Sequence, residues 1–302
     1  MSGLPINSRK PSWLKVKLPT GDKQERFARI RGRARELGLS TVCEEAQCPN
    51  IGECWGGGTA TFMVMGSICT RGCRFCAVNT RRKGNDLDPE EPRNVAKAIS
   101  EMELDYVVVT SVDRDDLADG GAGHFAACIQ EIHELNPSTM VEVLIPDFSG
   151  ERDLINKVVT AKPEVLAHNV ECIERLTKTV RDPRAGYQQS LEVLGTAKEL
   201  GSEYTKSSIM VGLGETQEEV LKCMQDLRDV GVDFLTVGQY LRPSIKHLAL
   251  QRYVTPEEFS AFETLGLEMG FTYVASGPLV RSSYKAGEFF IHSHIQNQRK
   301  PA

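Results

Sequence analysis

The chain has 302 residues, of which 40% are hydrophobic and 25% charged, with a formal net charge of -5. This balance is typical of a globular protein with one large core. No segment approaches the roughly 20 apolar residues of a membrane span, and the start, MSGLPINSRKPSWLKVKLPTG, has no apolar run that fits a signal peptide. We therefore expect no membrane association and a cytoplasmic location.

The first 35 residues are a basic arm on an acidic chain. They contain ten Lys or Arg against Asp22 and Glu25, a net of +8, which leaves -13 for the rest of a chain whose total is -5. Such charges either decorate a solvated helix or attract an acidic partner protein. Because the acidic remainder would repel phosphates and no nucleic-acid motif is present, we expect no nucleic-acid partner.

Six of the nine cysteines lie between residues 43 and 76. In a reducing compartment, clustered thiols are more often metal ligands or catalytic groups than disulfides. The first three, in CEEAQCPNIGEC, have the open spacing C-x4-C-x5-C, which suits a loose wrap around a metal cluster. They are Cys43, Cys48 and Cys54.

The second three cysteines, in CTRGCRFC, directly follow the first predicted strand. Their tighter spacing, C-x3-C-x2-C, would let one loop hold three thiolates on a four-iron cluster and leave the fourth iron open. Gly72 would let the loop backbone bend close to the cluster, and Phe75 would place an aromatic ring beside it. The three cysteines are Cys69, Cys73 and Cys76.

A structural zinc site is the alternative for these cysteines, since two pairs have the usual two-to-four-residue spacing of zinc ligands. It predicts no barrel behind the cysteines, and it leaves Cys54 and Cys69 unexplained. Its ligands would be Cys43, Cys48, Cys73 and Cys76.

After residue 60, β-rich runs alternate with helix-period segments. This alternation predicts parallel βαβ units, and six or seven of them favour a partial (β/α)6-type parallel barrel, of the α/β class, over a doubly wound sheet. Thr216 with Glu219, and Thr255 with Pro256, are typical of helix starts. The strands are predicted to begin at residues 61, 106, 141, 164, 204 and 233, with helices near 92–102, 123–135, 151–161, 188–200, 216–230 and 256–269.

The two ends of the chain do not fit this repeat. We therefore expect three regions: 1–60 as an amino-terminal extension with the basic arm and first cysteines, 61–276 as the barrel, and 277–302 as a carboxy-terminal extension. The last region contains VRSSYKAG, which includes the motif RSSY.

The C-x3-C-x-Φ-C loop after the first strand resembles the signature of the radical S-adenosylmethionine (SAM) superfamily. Together with CEEAQC, PNIGEC and RSSY, it closely resembles the lipoyl synthase family. The likeness continues through TSVDRDDLADGGAGH, AHNVE, MVGLGET, LTVGQYLRPS, QRYVTPEEF and VASGPLVRSSY, so it spans most of residues 40 to 290.

This resemblance implies an enzyme that uses SAM and two 4Fe-4S clusters to insert two sulfur atoms into a protein-bound octanoyl chain. Cys69, Cys73 and Cys76 would hold the cluster that cleaves SAM reductively. Ser283 would ligate the fourth iron of an auxiliary cluster on the first three cysteines, and that cluster would be the sulfur source. No acid/base residue is assigned, because abstraction of a hydrogen atom needs no general base.

Other strand ends would position SAM. Gly120 and Gly121 could offer bare backbone to its amino group, although a Gly-rich turn is equally consistent. Asn169 and Glu171 could bond its ribose or amino group, and Arg184 could pair with its carboxylate, although each residue alone reads as a solvated loop residue.

The resemblance also implies partners: an octanoylated lipoyl carrier protein (a lipoyl domain or a glycine-cleavage H-type protein), a low-potential electron donor such as ferredoxin or flavodoxin, and an iron-sulfur carrier.

Two alternatives remain at this point, a radical SAM enzyme that inserts sulfur into a free small molecule and a zinc-stabilised interaction protein. Two positions depart from the family pattern, Arg242 after QYL and Lys285 after RSSY.

Overall fold

A computed structural model describes residues 3, 9–15, 21–36, 39–41, 44, 48, 50–56 and 60–283. Seven parallel strands make up the main sheet, and neighbours along the chain are neighbours in the sheet. This unbroken order excludes the doubly wound alternative, in which the strand order reverses at a switch point. The sheet is the predicted partial β/α barrel.

The seven strands are labelled in chain order. They are β1 (Ala60–Val64), β2 (Tyr106–Ser111), β3 (Met140–Leu144), β4 (Val165–Ala167), β5 (Tyr204–Val211), β6 (Phe234–Gln239) and β7 (Tyr273–Gly277). A short strand, Ser40–Thr41, pairs antiparallel with β1 at one edge of the sheet.

One long helix connects each strand to the next. These helices are α1 (Glu91–Glu101), α2 (Ala122–Leu135), α3 (Arg152–Thr160), α4 (Tyr187–Glu199), α5 (Gln217–Asp229) and α6 (Pro256–Glu268). Complete capping boxes begin α5 at Thr216 and α6 at Thr255, which confirms both predicted helix starts. In the described part of the chain, no helix is both long and apolar enough to span a bilayer.

Two strands differ from the sequence-based expectation. β4 covers only Val165–Ala167 instead of the predicted 164–170, and the chain rejoins β5 through an isolated bridge between Glu171 and Ile209. Glu171 has a φ of 67° there, which breaks a regular strand. β7 was not among the predicted strands, because its five residues lack a clear apolar alternation. The parallel pairing with β6 is what identifies it as a strand.

The amino-terminal ends of the strands close the inside of the barrel with large side chains. Tyr204 and Phe234 stack there with ring centroids 5.1 Å apart, in one cluster with Tyr106, Met140 and Val165. Because side chains alternate along a strand, residues two positions further along face the same interior. The chemistry of this fold is thereby confined to the opposite, carboxy-terminal ends of the strands.

The described part of the amino-terminal region packs on the outside of this barrel. Helices Asp22–Glu36 and Ile51–Gly56 contribute the fully buried side chains of Ile30 and Trp55 to the same core cluster as Phe62 of β1. Phe27 lies against Trp55, with ring centroids 5.4 Å apart. Burial of this apolar surface fixes the segment that carries Cys48 and Cys54 beside the first strand.

Candidate active site

The loop after β1 carries three of the predicted ligands at the mouth of the barrel. A two-residue ladder between Ile68–Cys69 and Asn79–Thr80 closes the base of the loop. The Thr70 N–H donates to the Asp113 carbonyl after β2 at 3.0 Å, and the Cys76 N–H donates to the Cys73 carbonyl at 3.1 Å. The sequence therefore folds into one compact cysteine loop, residues 69–76.

The sulfur atoms in this loop receive backbone hydrogen bonds. The Arg71 N–H points at Cys69 Sγ at 3.4 Å, and the Asp182 N–H points at Cys73 Sγ at 3.3 Å. Hydrogen bonds of this kind stabilise thiolates bound to iron-sulfur clusters. None of the eight described cysteines is in a disulfide, so these sulfurs fit the role of cluster ligands.

Burial controls the protonation of the loop thiols. It raises the pKa of Cys69 and of Cys73 to about 12, and it also raises the pKa of Cys76. Among the described residues, no three His, Cys, Asp or Glu side chains converge as they would around one metal ion. A cubane differs in that each thiolate binds its own iron, so three separated sulfurs on one loop still fit it.

A buried guanidinium anchors the cysteine loop to the neighbouring strand ends. Arg71, only 4% exposed, binds both oxygens of Asp147 after β3 at 2.6 and 2.8 Å and bonds Asp115 after β2 at 2.7 Å. Burial opposes ionisation of Asp147, but the hydrogen bonds and charge of Arg71, together with the Ser149 N–H, outweigh burial and lower the pKa of Asp147. This network was not predicted, because no local spacing links residues 71, 115 and 147.

Arg184 lies against the cysteine loop, as expected for a residue near SAM. Its guanidinium donates to Asp182 Oδ1 at 2.8 Å, to the Thr70 carbonyl at 2.7 Å and to Asp115 Oδ2 at 3.1 Å. Asp182 in turn accepts the Gly72 N–H at 2.8 Å. The side chain is half-exposed, and its predicted role with the SAM carboxylate stays a prediction.

Asn169 and Glu171 lie together beyond β4. Asn169 Nδ2 donates to Glu171 Oε1 at 3.1 Å, and the backbone of Glu171 bonds Ser208 and Met210 of β5. Burial raises the pKa of Glu171. Its charge acts on the thiols of Cys73 and Cys76, so both predicted residues lie near the cysteine loop.

The two predicted glycines begin helix α2. Gly121 has a φ of 89° and donates its N–H to Asp119 Oδ1 at 3.0 Å, and a Cβ there would collide with Met65. The Gly120 N–H donates to the Leu117 carbonyl at 3.1 Å. Gly120 also borders a cavity of about 260 Å³ that Arg71 and Asp113 help to line. Local packing thus explains both glycines, and contact with SAM stays a prediction.

The loop after β6 holds the other end of the cysteine loop. His247 Nε2 donates to the Cys76 carbonyl at 3.0 Å, which leaves Nδ1 to accept the Ser244 hydroxyl at 2.8 Å. The Leu248 N–H donates to the Arg74 carbonyl at 3.1 Å, and Arg242 bonds the His247 carbonyl. Phe75 is half-buried against the core on this side of the barrel. Sequence spacing gave no signal for His247.

The second cysteine group meets the carboxy-terminal segment. Cys48 is half-buried and Cys54 is buried, while Asn50 Nδ2 donates to the Leu279 carbonyl at 2.6 Å. Ser283 is half-buried four residues further along. Cys43, the remaining predicted ligand of this group, lies outside the described residues. Lys285, which departs from the family pattern, lies outside them as well.

Arg281 belongs to the carboxy-terminal segment and lies near Cys48. Burial lowers its pKa, while the charge of Cys48 acts in the opposite direction. Its guanidinium donates to the carbonyls of Val280 and Gln239. The hydrogen bonds of Arg281 go to neutral carbonyl groups, so they do not balance its positive charge. A thiolate or an anionic cluster at Cys48 would supply that negative charge, so Arg281 and Cys48 fit an anionic group.

A charged pair lies inside the barrel, one layer above the aromatic plug. Lys206 Nζ bonds both oxygens of Glu142 at 2.8 Å, and the Tyr106 hydroxyl donates to Glu142 at 2.6 Å. Both charged side chains are about 2% exposed. Thr236 Oγ1, on the same interior face, is buried without a hydrogen-bond partner among the described residues. The pair forms a polar floor beneath the cysteine loop.

Comparisons with known proteins agree with this geometry. A family model described as the radical SAM superfamily matches residues 63–227, and one described as the N-terminal domain of lipoyl synthase matches residues 5–48. The fold is similar to a maturase of the FeFe-hydrogenase (TM-score 0.57, 16% identity, 83% of this chain and 62% of that chain). It is also similar to a methylornithine synthase (TM-score 0.54, 14% identity, 86% and 80%).

The barrel and its cysteine loop define a radical SAM enzyme. Curated lipoyl synthases match nearly the whole chain: a mitochondrial one from Aedes aegypti is 57% identical over 97% of this chain and 76% of its own length. One from Myxococcus xanthus (strain DK1622) is 57% identical over 97% of both chains. The chain belongs to the lipoyl synthase family, whose members use SAM and 4Fe-4S clusters, and this excludes the zinc-stabilised interaction protein.

Proposed function

We propose that this enzyme inserts two sulfur atoms into a protein-bound octanoyl chain to give the lipoyl cofactor, with an auxiliary 4Fe-4S cluster as the sulfur source. The observation that carries the proposal is the presence of two separate cysteine segments at one barrel mouth. One is the cysteine loop, and the other contains Cys48 and Cys54 beside the RSSY segment. Family membership at 57% identity supports the same reaction.

Cys69, Cys73 and Cys76 would hold the SAM cluster. When bound, this cluster supplies one electron to SAM, whose cleavage gives the radical that removes a hydrogen atom from the octanoyl chain. The protein's part is to fix and shield the reactants. Arg71 and Asp147 hold the loop rigid from inside the barrel, and His247 holds it from outside.

SAM would lie over the strand ends between the cysteine loop and β4. Asn169 and Glu171 supply polar atoms for its ribose or amino group, and Arg184 supplies a cation for its carboxylate. Phe75, within the loop, packs against the barrel core, and Gly120, next to Gly121, borders the cavity. No general base is assigned, because a hydrogen atom leaves with its electron.

Cys43, Cys48, Cys54 and Ser283 would hold the auxiliary cluster. The contact between Asn50 and Leu279 supports this set, because it joins the two segments that supply the ligands. A hard alkoxide on soft iron is an exchangeable ligand, which suits a cluster whose sulfur is consumed. We also propose the region boundaries 1–60, 61–276 and 277–302, with the auxiliary ligands shared between the two extensions.

The proposed substrate is an octanoylated lipoyl carrier, a lipoyl domain or a glycine-cleavage H-type protein. A ferredoxin or flavodoxin would supply electrons, and an iron-sulfur carrier would rebuild the auxiliary cluster. The proposed location is the cytoplasm, which the absence of disulfides among the described cysteines supports. Relatives carry mitochondrial, chloroplastic and bacterial names, so the family alone does not fix the compartment.

The first test is metal analysis after anaerobic purification. We expect iron and acid-labile sulfide for two cubanes in the parent chain and for one cubane in a variant with Cys43, Cys48 and Cys54 all changed to Ala. Zinc without sulfide in the parent would overturn the assignment of both clusters.

Single variants then separate the two clusters by function. Cys76→Ala should abolish SAM cleavage, whereas Cys48→Ala should still cleave SAM but release no lipoyl product from an octanoylated carrier. Cys128→Ala is the matched control, because this buried helix cysteine has no place in either site. A normal rate of lipoyl formation by Cys48→Ala would contradict the sulfur-source assignment. Turnover on free octanoate instead of the carrier would favour the small-molecule alternative.

A further inference from the structure

Five exposed basic side chains surround the outer side of the cysteine loop, in a chain whose net charge is negative. We call them the loop-side basic patch. Its members are Arg74, Arg81, Arg82, Lys178 and Lys246.

Hydrogen bonds to the cysteine loop hold this patch together. The Arg81 N–H donates to the Cys69 carbonyl at 3.0 Å. Arg74 belongs to the loop itself, and its guanidinium donates to the Thr179 carbonyl at 3.2 Å, which brings Lys178 alongside. Lys246 precedes His247, whose ring bonds the Cys76 carbonyl. Each basic residue thus lies within one or two residues of a backbone contact to residues 69–76.

These charges differ from those of the amino-terminal arm. In that arm, Arg29, Arg31 and Arg33 pair with Glu103, Glu44 and Glu101 of the same chain. Within residues 60–283 and the other described positions, no carboxylate forms an ion pair with any member of the patch, whereas the adjacent Lys83 pairs with Asp86. The positive charge left for a partner is therefore at the cysteine loop and not on these three helix arginines.

The opposite face of the loop has the reverse character. Its Arg71 is buried and bonded to Asp115 and Asp147 over the strand ends, where SAM and the acyl chain would bind. The outer face is solvent-exposed, and it presents Ile245, which is 71% exposed, next to Lys246. An exposed apolar side chain within a charged rim is typical of a transient protein interface.

We propose that the loop-side basic patch docks an acidic protein that donates one electron at a time, of the ferredoxin or flavodoxin class. This proposal rests on the proposed function, which requires an electron at the cysteine loop. For each SAM cleaved, the donor protein is oxidised by one electron and the carbon-sulfur bond of SAM breaks; no bond in the donor changes. Opposite charges would raise the encounter rate and make it sensitive to salt.

The test compares two reductants on one charge-reversed variant, Arg82→Glu/Lys178→Glu/Lys246→Glu. None of these side chains belongs to the proposed ligands or SAM contacts. With dithionite, which needs no docking surface, we expect SAM cleavage within twofold of the parent. With reduced flavodoxin, we expect the rate at low salt to fall about tenfold or more and to lose its dependence on ionic strength. No octanoyl substrate is needed.

The matched control, Arg93→Glu/Lys97→Glu/Lys162→Glu, reverses three exposed charges, two on α1 and one just after α3. It makes the same change in net charge, so it should keep at least half of the flavodoxin-dependent rate. An equal loss in the control would overturn the proposal, because net charge alone would then explain the effect. Unchanged flavodoxin-dependent cleavage in the patch variant would also overturn it.

Three further outcomes are decided by direct measurement. If the triple variant loses iron, the single variants Arg82→Glu and Lys178→Glu, both outside residues 69–76, are tested instead. Normal flavodoxin-dependent SAM cleavage by both single variants would reject the patch. Weaker binding of an octanoylated lipoyl domain with unchanged flavodoxin-dependent cleavage assigns the patch to the carrier and rejects the electron donor. A parent that cleaves SAM but makes no lipoyl product would contradict only the proposed function.

Discussion

Burial alone does not distinguish the proposed ligands from the other cysteines. It raises the pKa of Cys172 and Cys223 to about 12, as it does for Cys69 and Cys73. The difference lies in position. Cys223 is a buried residue of helix α5, whereas the loop thiols lie together at the strand ends. Spacing in the sequence is therefore a better indicator of cluster ligands here than thiol acidity.

His168 shows how a buried polar residue supports the site without binding anything in it. Its Nδ1 donates to the Ile145 carbonyl at 2.9 Å, and its Nε2 accepts the Ser190 hydroxyl at 3.0 Å. His168 is therefore a buried, hydrogen-bonded residue of the barrel rim. Burial, followed by the nearby charge of Arg181, lowers its pKa to about 4.

We expect His168 to make stability depend on pH. The unfolded chain binds a proton below about pH 6.5 while the folded chain does not until about pH 4, so stability falls as pH decreases through that window. The shift corresponds to a loss on the order of 3 kcal/mol. Denaturant titrations at pH 7 and pH 5 should show a smaller difference for His168→Gln than for the parent. An identical difference in both chains would contradict the assignment.

At the scale of elements, the two capping boxes show which local signals were sufficient. Thr216 Oγ1 accepts the Glu219 N–H at 3.3 Å, and Glu219 Oε2 accepts the Thr216 N–H at 2.9 Å. Both residues lie within one turn of α5, so their spacing in the sequence fixes their geometry. The same holds for Thr255 and Glu258 at α6.

Removal of this cap should weaken the barrel measurably. We expect Thr216→Ala to lower the free energy of unfolding by about 1 kcal/mol, because an amide at the start of α5 loses its acceptor. Thr160→Ala, at the exposed end of α3, is the control and should change stability by less than about 0.5 kcal/mol. Chemical denaturation of the two variants gives the comparison, and equal losses would show that the cap contributes nothing specific.

At the scale of the whole molecule, the barrel interior is layered by chemistry. Aromatic rings close one end, the Glu142–Lys206 pair lies above them, and the cysteine loop covers the other end. A buried ion pair is a weak source of stability, but a single remaining charge in its place is costly. The pair therefore restricts which substitutions this interior tolerates.

We expect Glu142→Leu to destabilise the protein by about 3 to 5 kcal/mol, because it leaves Lys206 charged and unpaired inside the barrel. The double variant Glu142→Leu/Lys206→Met removes both charges and should recover much of that loss. Denaturant unfolding of the single and double variants, with Lys206→Met to complete the cycle, measures the coupling. Additive losses would mean that the two side chains do not act as a pair.

The sequence by itself determined the features that depend on near neighbours: the alternating strands and helices, both capping boxes and the two cysteine spacings. These follow from backbone periodicity and from contacts within about one helical turn or one short loop. The family resemblance added the expected reaction and cofactors, which family membership confirmed.

Only the tertiary structure decided the features that join distant parts of the chain. Asp147 meets Arg71 across 76 residues, His247 meets Cys76 across 171, and Leu279 meets Asn50 across 229. Strand β7 and the barrel floor likewise exist only through pairing with other strands. The physical reason is that folding of the barrel brings all strand ends to one face, and no local pattern in the sequence encodes which side chains meet there.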